Sequence, residues 1–207
     1  MAKSLPMFPL GTVLFPHALL PLQVFEPRYR ALTEACLAGD GEFGVVLIER
    51  GSEVGGGDTR FAVGTVARIL EAGRFPDGRY LLATTGTRRL RVRRWLPEAP
   101  YPRAEVELLD DPRPAEADAA ERRTAVERGL LQVSELRAQL GEGTPLAELH
   151  LDDDPVRASF EAAAAAALGP LDAQRQLELD DAGARLEALT ELLADEARFL
   201  ELRRAGS

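Results

Sequence analysis

The apolar residues of this chain change their spacing once, close to residue 110, and that change bounds what the chain can fold into. Before it, they come in short runs rich in Val, Ile, Leu and Thr at residues 43–48, 62–70, 80–85, 90–95 and 104–109. Gly and Pro separate the runs, as in strands joined by turns. Pro76-Asp77-Gly78 lies between two of them, and its glycine supplies the positive φ that a tight hairpin turn needs. After it, Val126, Leu130, Val133, Leu136 and Leu140 recur at helical spacing, and so do Leu186, Leu189, Leu193, Ala197 and Leu200. The expected class is α+β: a closed or nearly closed β-barrel over residues 1–112, then an antiparallel α-helical bundle over residues 113–207. The polar, proline-rich stretch Asp110-Asp111-Pro112-Arg113-Pro114 marks the boundary.

One helix is expected inside the barrel part, near residues 27–38. Pro27 suits its first turn, Tyr29, Leu32 and Cys36 share one face, and Gly39 ends it. On that face Cys36 reads as a packing residue, not a nucleophile. As the sole cysteine it excludes an internal disulfide and a thiolate zinc site. In the second part, Asp154 and Pro155 read as N-cap and first turn of a helix carrying Val156 and Phe160. Gly169-Pro170 reads as its close, and Asp172 as the cap of a short helix before the long final one.

Charge narrows the function. The formal net charge is −9, and residues 1–110 hold 14 basic and 13 acidic side chains against 11 and 21 in residues 111–207. A nucleic-acid surface would work against that field. The longest uninterrupted apolar stretch, residues 162–168, is too short to cross a bilayer, so a soluble, cytoplasmic protein is expected.

Few motifs carry chemistry. Gly39-Asp40-Gly41-Glu42-Phe43-Gly44 fits the dinucleotide spacing, but it follows a helix and precedes a strand, the reverse of the order that places a helix N-terminus on a pyrophosphate. It reads as a helix stop and loop. Lys3, the only lysine, has neither a phosphate loop nor a serine dyad around it, which excludes a Walker A site and a Ser–Lys peptidase. His17 and His150 do not form a metal site by spacing, and His150-Leu151-Asp152-Asp153-Asp154 reads as a loop leading to a helix cap. No Gly-x-Ser-x-Gly elbow places a nucleophilic serine. The basic cluster Arg88-Arg89-Leu90-Arg91-Val92-Arg93-Arg94-Trp95 puts Arg89, Arg91 and Arg93 on one strand face. That face reads first as a solvated edge guarded against aggregation, and second as a phosphate ribbon with Trp95 available for stacking.

Several stretches in order carry a resemblance. Leu5-Pro6-Met7-Phe8-Pro9-Leu10, Val13-Leu14-Phe15-Pro16-His17 through Leu22, and Phe25-Glu26-Pro27-Arg28-Tyr29-Arg30 resemble the opening of the Lon N-terminal, substrate-binding domain family. Residues 43–48, Val63-Gly64-Thr65-Val66-Ala67 with Ile69-Leu70, Pro76-Asp77-Gly78 and residues 86–92 continue the likeness. The helical half follows it in pattern only. The resemblance implies a PUA-like barrel with one inserted helix, then a helical bundle, in a stand-alone member lacking ATPase and peptidase domains. It implies a non-catalytic polypeptide-binding module, an adaptor or regulator in protein quality control, with no catalytic residue, metal or cofactor. The expected partners are unfolded or apolar-rich polypeptides and a separate protease, with neither nucleic acid nor a membrane among them. Binding is expected in an apolar groove between the two parts or along an exposed strand edge. The candidate contact residues are Phe15 and His17 in a loop between strands, Arg28 and Tyr29 at the helix start, and Phe75 at the hairpin. The alternative is an RNA-binding PUA-like domain using the strand at Arg88–Arg94, and an unrecognised hydrolase ranks below both.

Overall fold

Strand β1 (Lys3–Leu10) buries side chains on both of its faces, and the rest of its unit explains why. It pairs in parallel with β3 (Glu42–Arg50) and antiparallel with β6 (Arg103–Leu108). Strand β3 pairs with β4 (Thr59–Arg74), β4 with β5 (Tyr80–Leu96), and β5 returns to β6, so five strands close a ring. Among the described residues strand β2 (Leu19–Val24) pairs only with the first part of β5, and helix α1 (Pro27–Leu37) follows it. Leu5, Met7, Val46, Val66, Leu90 and Val106 come from all five ring strands and fill its interior. Phe8, Phe43, Val45, Ala67 and Leu82 point the other way and are covered by Tyr29, Leu32 and Cys36 of α1. A strand buried on both faces needs a continuous apolar run, and residues 43–48 provide one. The structure, a computed structural model, describes residues 3–50, 59–112 and 116–206.

The separate runs expected at residues 80–85 and 90–95 are one strand. Partners jump from Gly86↔Ala67 to Arg88↔Val66, leaving Thr87 as a bulge. A bulge sends successive side chains across the sheet, so Leu82 packs under α1 while Leu90 fills the ring. Gly86 has no room for a side chain: a Cβ there would lie 2.2 Å from the Phe15 carbonyl oxygen.

The chain divides into two compact units, Met1–Asp110 and Asp111–Ser207. Arg113 and Pro114 of the expected boundary lie outside the described residues. The second unit holds α2 (Glu116–Gln139), α3 (Pro155–Ala165), α4 (Pro170–Glu178) and α5 (Ala182–Ala205). Val126, Leu130, Val133 and Leu136 of α2 are buried, as are Leu186, Leu189, Leu193, Ala197 and Leu200 of α5. Asp154 Oδ1 accepts from the Val156 and Arg157 amides at 3.0 and 3.2 Å, capping α3 as its sequence implies. Gly169-Pro170 does not close α3, which ends at Ala165. It opens α4, with Gly169 as N-cap and Pro170 in the first turn, where a missing N–H is no loss. Asp172 therefore sits within the first turn and is not the cap. Among the described residues no helix is long and apolar enough to cross a membrane.

Candidate functional site

Alternation along β2 sends Leu20, Leu22 and Val24 inward and Leu19, Pro21 and Gln23 outward. Phe25 continues the outward phase and remains 55% exposed. Pro27 starts α1 two residues on, so the chain turns with the ring held at the surface. Beside it lies the β4–β5 turn. Gly78 has φ +82° and donates its amide to the Phe75 carbonyl, and the Phe75 amide donates to the Arg79 carbonyl, both at 2.9 Å. Phe75 is left 47% exposed and Leu81 45% exposed.

Contacts from α1 fix this turn. A Cβ on Gly78 would lie 2.1 Å from an Arg30 guanidinium nitrogen, so that guanidinium rests directly on the glycine. The Tyr80 hydroxyl donates to Glu34 Oε1 at 3.2 Å, and the Arg74 guanidinium lies 3.8 Å from the same carboxylate and over the Tyr80 ring. Asp77 accepts the Arg79 amide at 3.0 Å and its Nε at 2.7 Å, and these bonds hold its carboxyl below the usual carboxylate range.

Two grooves result, and they share Gln23, Val24 and Phe25. The first, about 170 Å³, runs between Phe25 and Phe75 over Tyr80 and Leu81, with Arg79 on its rim. The second, about 190 Å³, is lined by Leu10, Pro21, Leu22, Phe25, Glu26 and Tyr29. Tyr29 is buried there, stacked on Phe8 at 4.0 Å between ring centroids and covered by the Arg28 guanidinium at 4.4 Å. Arg28 also donates to Glu26 at 3.1 Å.

Of the residues singled out from sequence, Phe75 and Tyr29 line these adjoining grooves, and Arg28 covers Tyr29. Phe15 and His17 lie at the far end of β2, against Gly86. Phe15 is buried, while His17 is exposed at φ +66° and donates its amide to the Gly86 carbonyl at 2.9 Å. Sequence reasoning missed Phe25 and Leu81. The available signal was a large apolar residue in the outward phase of an alternating strand.

The arginine ribbon is not a free basic face. Arg89 and Arg91 follow the alternation, but a bulge at Arg93, between the pairs Val92↔Val106 and Arg94↔Glu105, breaks it, and Arg89 is fully buried. The segment after β6 covers it: the Leu109 amide donates to the Arg89 carbonyl at 3.0 Å, and Arg89 Nη2 lies 3.4 Å from the Asp110 carbonyl. Arg93 pairs with Glu107 and Arg94 with Glu105, across the β5–β6 ladder. The Arg60 guanidinium sits 4.5 Å over the Trp95 ring and pairs with Glu98. The Gly39–Gly44 stretch is a helix stop, with the Gly39 and Gly41 amides donating to the Cys36 carbonyl and Gly41 at φ +73°. In the acidic loop, Asp153 meets Arg123 at 2.7 Å and Asp152 meets Arg157 at 3.3 Å.

Known proteins match this chain along most of its length. Residues 4–195 match the ATP-dependent protease La (LON) substrate-binding domain. Lon protease 2 of Herpetosiphon aurantiacus is 33% identical over 209 residues, covering 96% of this chain but 24% of that protein. This chain thus spans about a quarter of the length of the curated relatives it matches. The crystal structure of a Lon N-terminal domain protein from Xanthomonas campestris superposes with TM-score 0.64 at 29% identity, covering 93% of this chain and 98% of that one. The N-terminal domain of Mycobacterium avium complex Lon protease shares the fold with TM-score 0.62 at 21% identity, over 93% and 99% of the two chains. With the match running from β1 into α5, this chain belongs to the family of Lon substrate-binding domains.

Proposed function

We propose that this chain is a non-catalytic polypeptide-binding module of the cytoplasm, an adaptor or regulator in protein quality control that takes unfolded or apolar-rich segments on the grooves around Phe25. The observation that carries the reading is the pair of half-exposed aromatic walls, Phe25 just before α1 and Phe75 on a hairpin that α1 fixes in place. Exposed apolar surface held rigid lowers the ordering cost of binding. Kinship with a substrate-binding domain supports polypeptide as the ligand, and the closed strand ring supports the PUA-like comparison.

The contact runs through side chains more than through strand addition. Strand β2 is an edge strand among the described residues, and Pro21 at its centre has no N–H to offer an incoming strand. The RNA reading is weakened by the burial of Arg89 and by the carboxylate partners of Arg93 and Arg94. The test is an anisotropy titration of a labelled, acetylated and amidated apolar peptide against the wild type, Phe25→Ala and Phe75→Ala. Each substitution is expected to weaken binding about tenfold, the size of one interface anchor. Unchanged affinity in the double variant, with unchanged thermal unfolding, would sink the proposal.

A further inference from the structure

The two grooves differ in charge. Among the described residues lining the Phe25–Phe75 groove, Arg79 is the charged one, and no carboxylate lines it. Glu26 holds the corresponding place in the groove on the other side of Phe25. The Arg79 side chain is 58% exposed, gives its Nε to Asp77 and lies 5.7 Å from the centroid of the Phe75 ring. Its two terminal nitrogens carry four further N–H donors in the planar fork that fits a carboxylate. The groove itself, at about 170 Å³, is close to the roughly 150 Å³ apolar cavity that accepts one benzene ring. One large apolar side chain fills it.

We infer that the Phe25–Phe75 groove selects extended polypeptide segments in which a large apolar residue stands next to an aspartate or glutamate. The apolar side chain enters between Phe25 and Phe75, and the neighbouring carboxylate meets the Arg79 fork on the rim. A basic neighbour would find no carboxylate on the groove lining to pair with. Arg79 is then a specificity residue, and Phe25 and Phe75 supply affinity that is indifferent to charge. The inference rests on the proposed peptide-binding role and adds to it a chemical preference that apolar burial alone does not produce.

The experiment uses the full chain and three labelled peptides, acetylated and amidated so that charge comes from one side chain. They share a leucine in a Ser/Gly background and differ in the next residue: Asp, Asn or Lys. Because the Arg79 pair forms in partly screened surroundings, wild type is expected to bind the Asp peptide about threefold more tightly than Asn. The Lys peptide should be weaker again. Arg79→Gln should bring all three to the Asn value with unchanged thermal unfolding, and raising the salt should compress the series. Phe25→Ala should weaken all three by the same factor and leave their ratios intact. Equal affinities in the wild type would overturn the inference while leaving the peptide-binding role standing, and so would a preference that survives Arg79→Gln. Absence of binding to every peptide would overturn both.

Discussion

Cys36 sits on the inner face of α1, 3% exposed, with Sγ 3.4 Å from the Glu42 carbonyl. Burial first, and the nearby negative charge of Asp40 second, push its thiol up to about 12 from an ordinary 9.0. Thiolate is the reactive form, so at pH 8 only about one molecule in ten thousand carries it in the folded state. A disulfide reagent such as DTNB is expected to leave the native protein unmodified at pH 8 and to titrate one thiol in guanidinium. The same shift has a stability sign. The unfolded thiol ionises first, so its contribution is intact below about pH 9 and is lost as pH rises toward 12. At pH 10 the loss is about 1.4 kcal/mol, so the difference in unfolding free energy between wild type and Cys36→Ala should shrink by that amount between pH 7 and pH 10. A difference independent of pH would show that the thiol is not held neutral by its surroundings.

Elements were legible in the sequence wherever a local rule and the tertiary environment agreed. Helix α1 has its proline at the start, its apolar face and its glycine stop, and it forms over Pro27–Leu37. The buried stripes of α2 and α5 follow 3.6-residue spacing, with Leu186, Leu189, Leu193 and Leu200 all buried on α5. Local rules failed where a neighbour distant in sequence decides. Alternation gives Arg89 and Arg91 one side, but a bulge at Arg93 ends the pattern, and the segment that covers Arg89 arrives about twenty residues later. Phe25 looks like any strand-end aromatic until the β4–β5 turn comes to lie beside it. Arg185 is the helical unit's version of the same lesson. From sequence it is one arginine on a charged helix, yet it is fully buried on α5. Its Nε donates to Ser159 Oγ at 2.9 Å, and its Nη1 donates to the Leu179 carbonyl at 2.7 Å and lies 3.1 Å from the Asp111 carboxylate. Its guanidinium lies 4.0 Å over the Phe160 ring. One side chain therefore joins α3, the end of α4, α5 and the segment before α2. Arg185→Ala leaves the Asp111 carboxylate, the Ser159 hydroxyl and the Leu179 carbonyl without that donor, which is expected to cost about 3–5 kcal/mol. Denaturant unfolding followed by helical circular dichroism measures this, and a loss under about 1 kcal/mol would show that the helices hold together without it.

At the scale of the whole molecule, the uneven charge decides which ligands can gather on it. Residues 111–207 carry an excess of ten acidic side chains, while residues 1–110 are nearly balanced. Within that balanced half several arginines are matched, as Arg68 with Glu42, Arg60 with Glu98, and Arg93 and Arg94 with Glu107 and Glu105 show. Lys3 is held between Asp40 and Glu42, at 2.9 and 2.8 Å. Nucleic-acid affinity comes chiefly from counterions released when unpaired cations meet phosphates, so matched arginines contribute little and a negative field opposes the approach. Apolar burial in the grooves has no such dependence on salt. A labelled single-stranded RNA is therefore expected to show no saturable binding at 150 mM salt. The affinity of an uncharged apolar peptide should change less than about twofold between 50 and 200 mM, because no ion pair forms with it. The two titrations run side by side on the same protein. An RNA Kd of about 1 μM or tighter at 150 mM salt, weakening by orders of magnitude as salt rises and abolished when Arg91 and Arg93 become Ala, would transfer the function to the β5 ribbon.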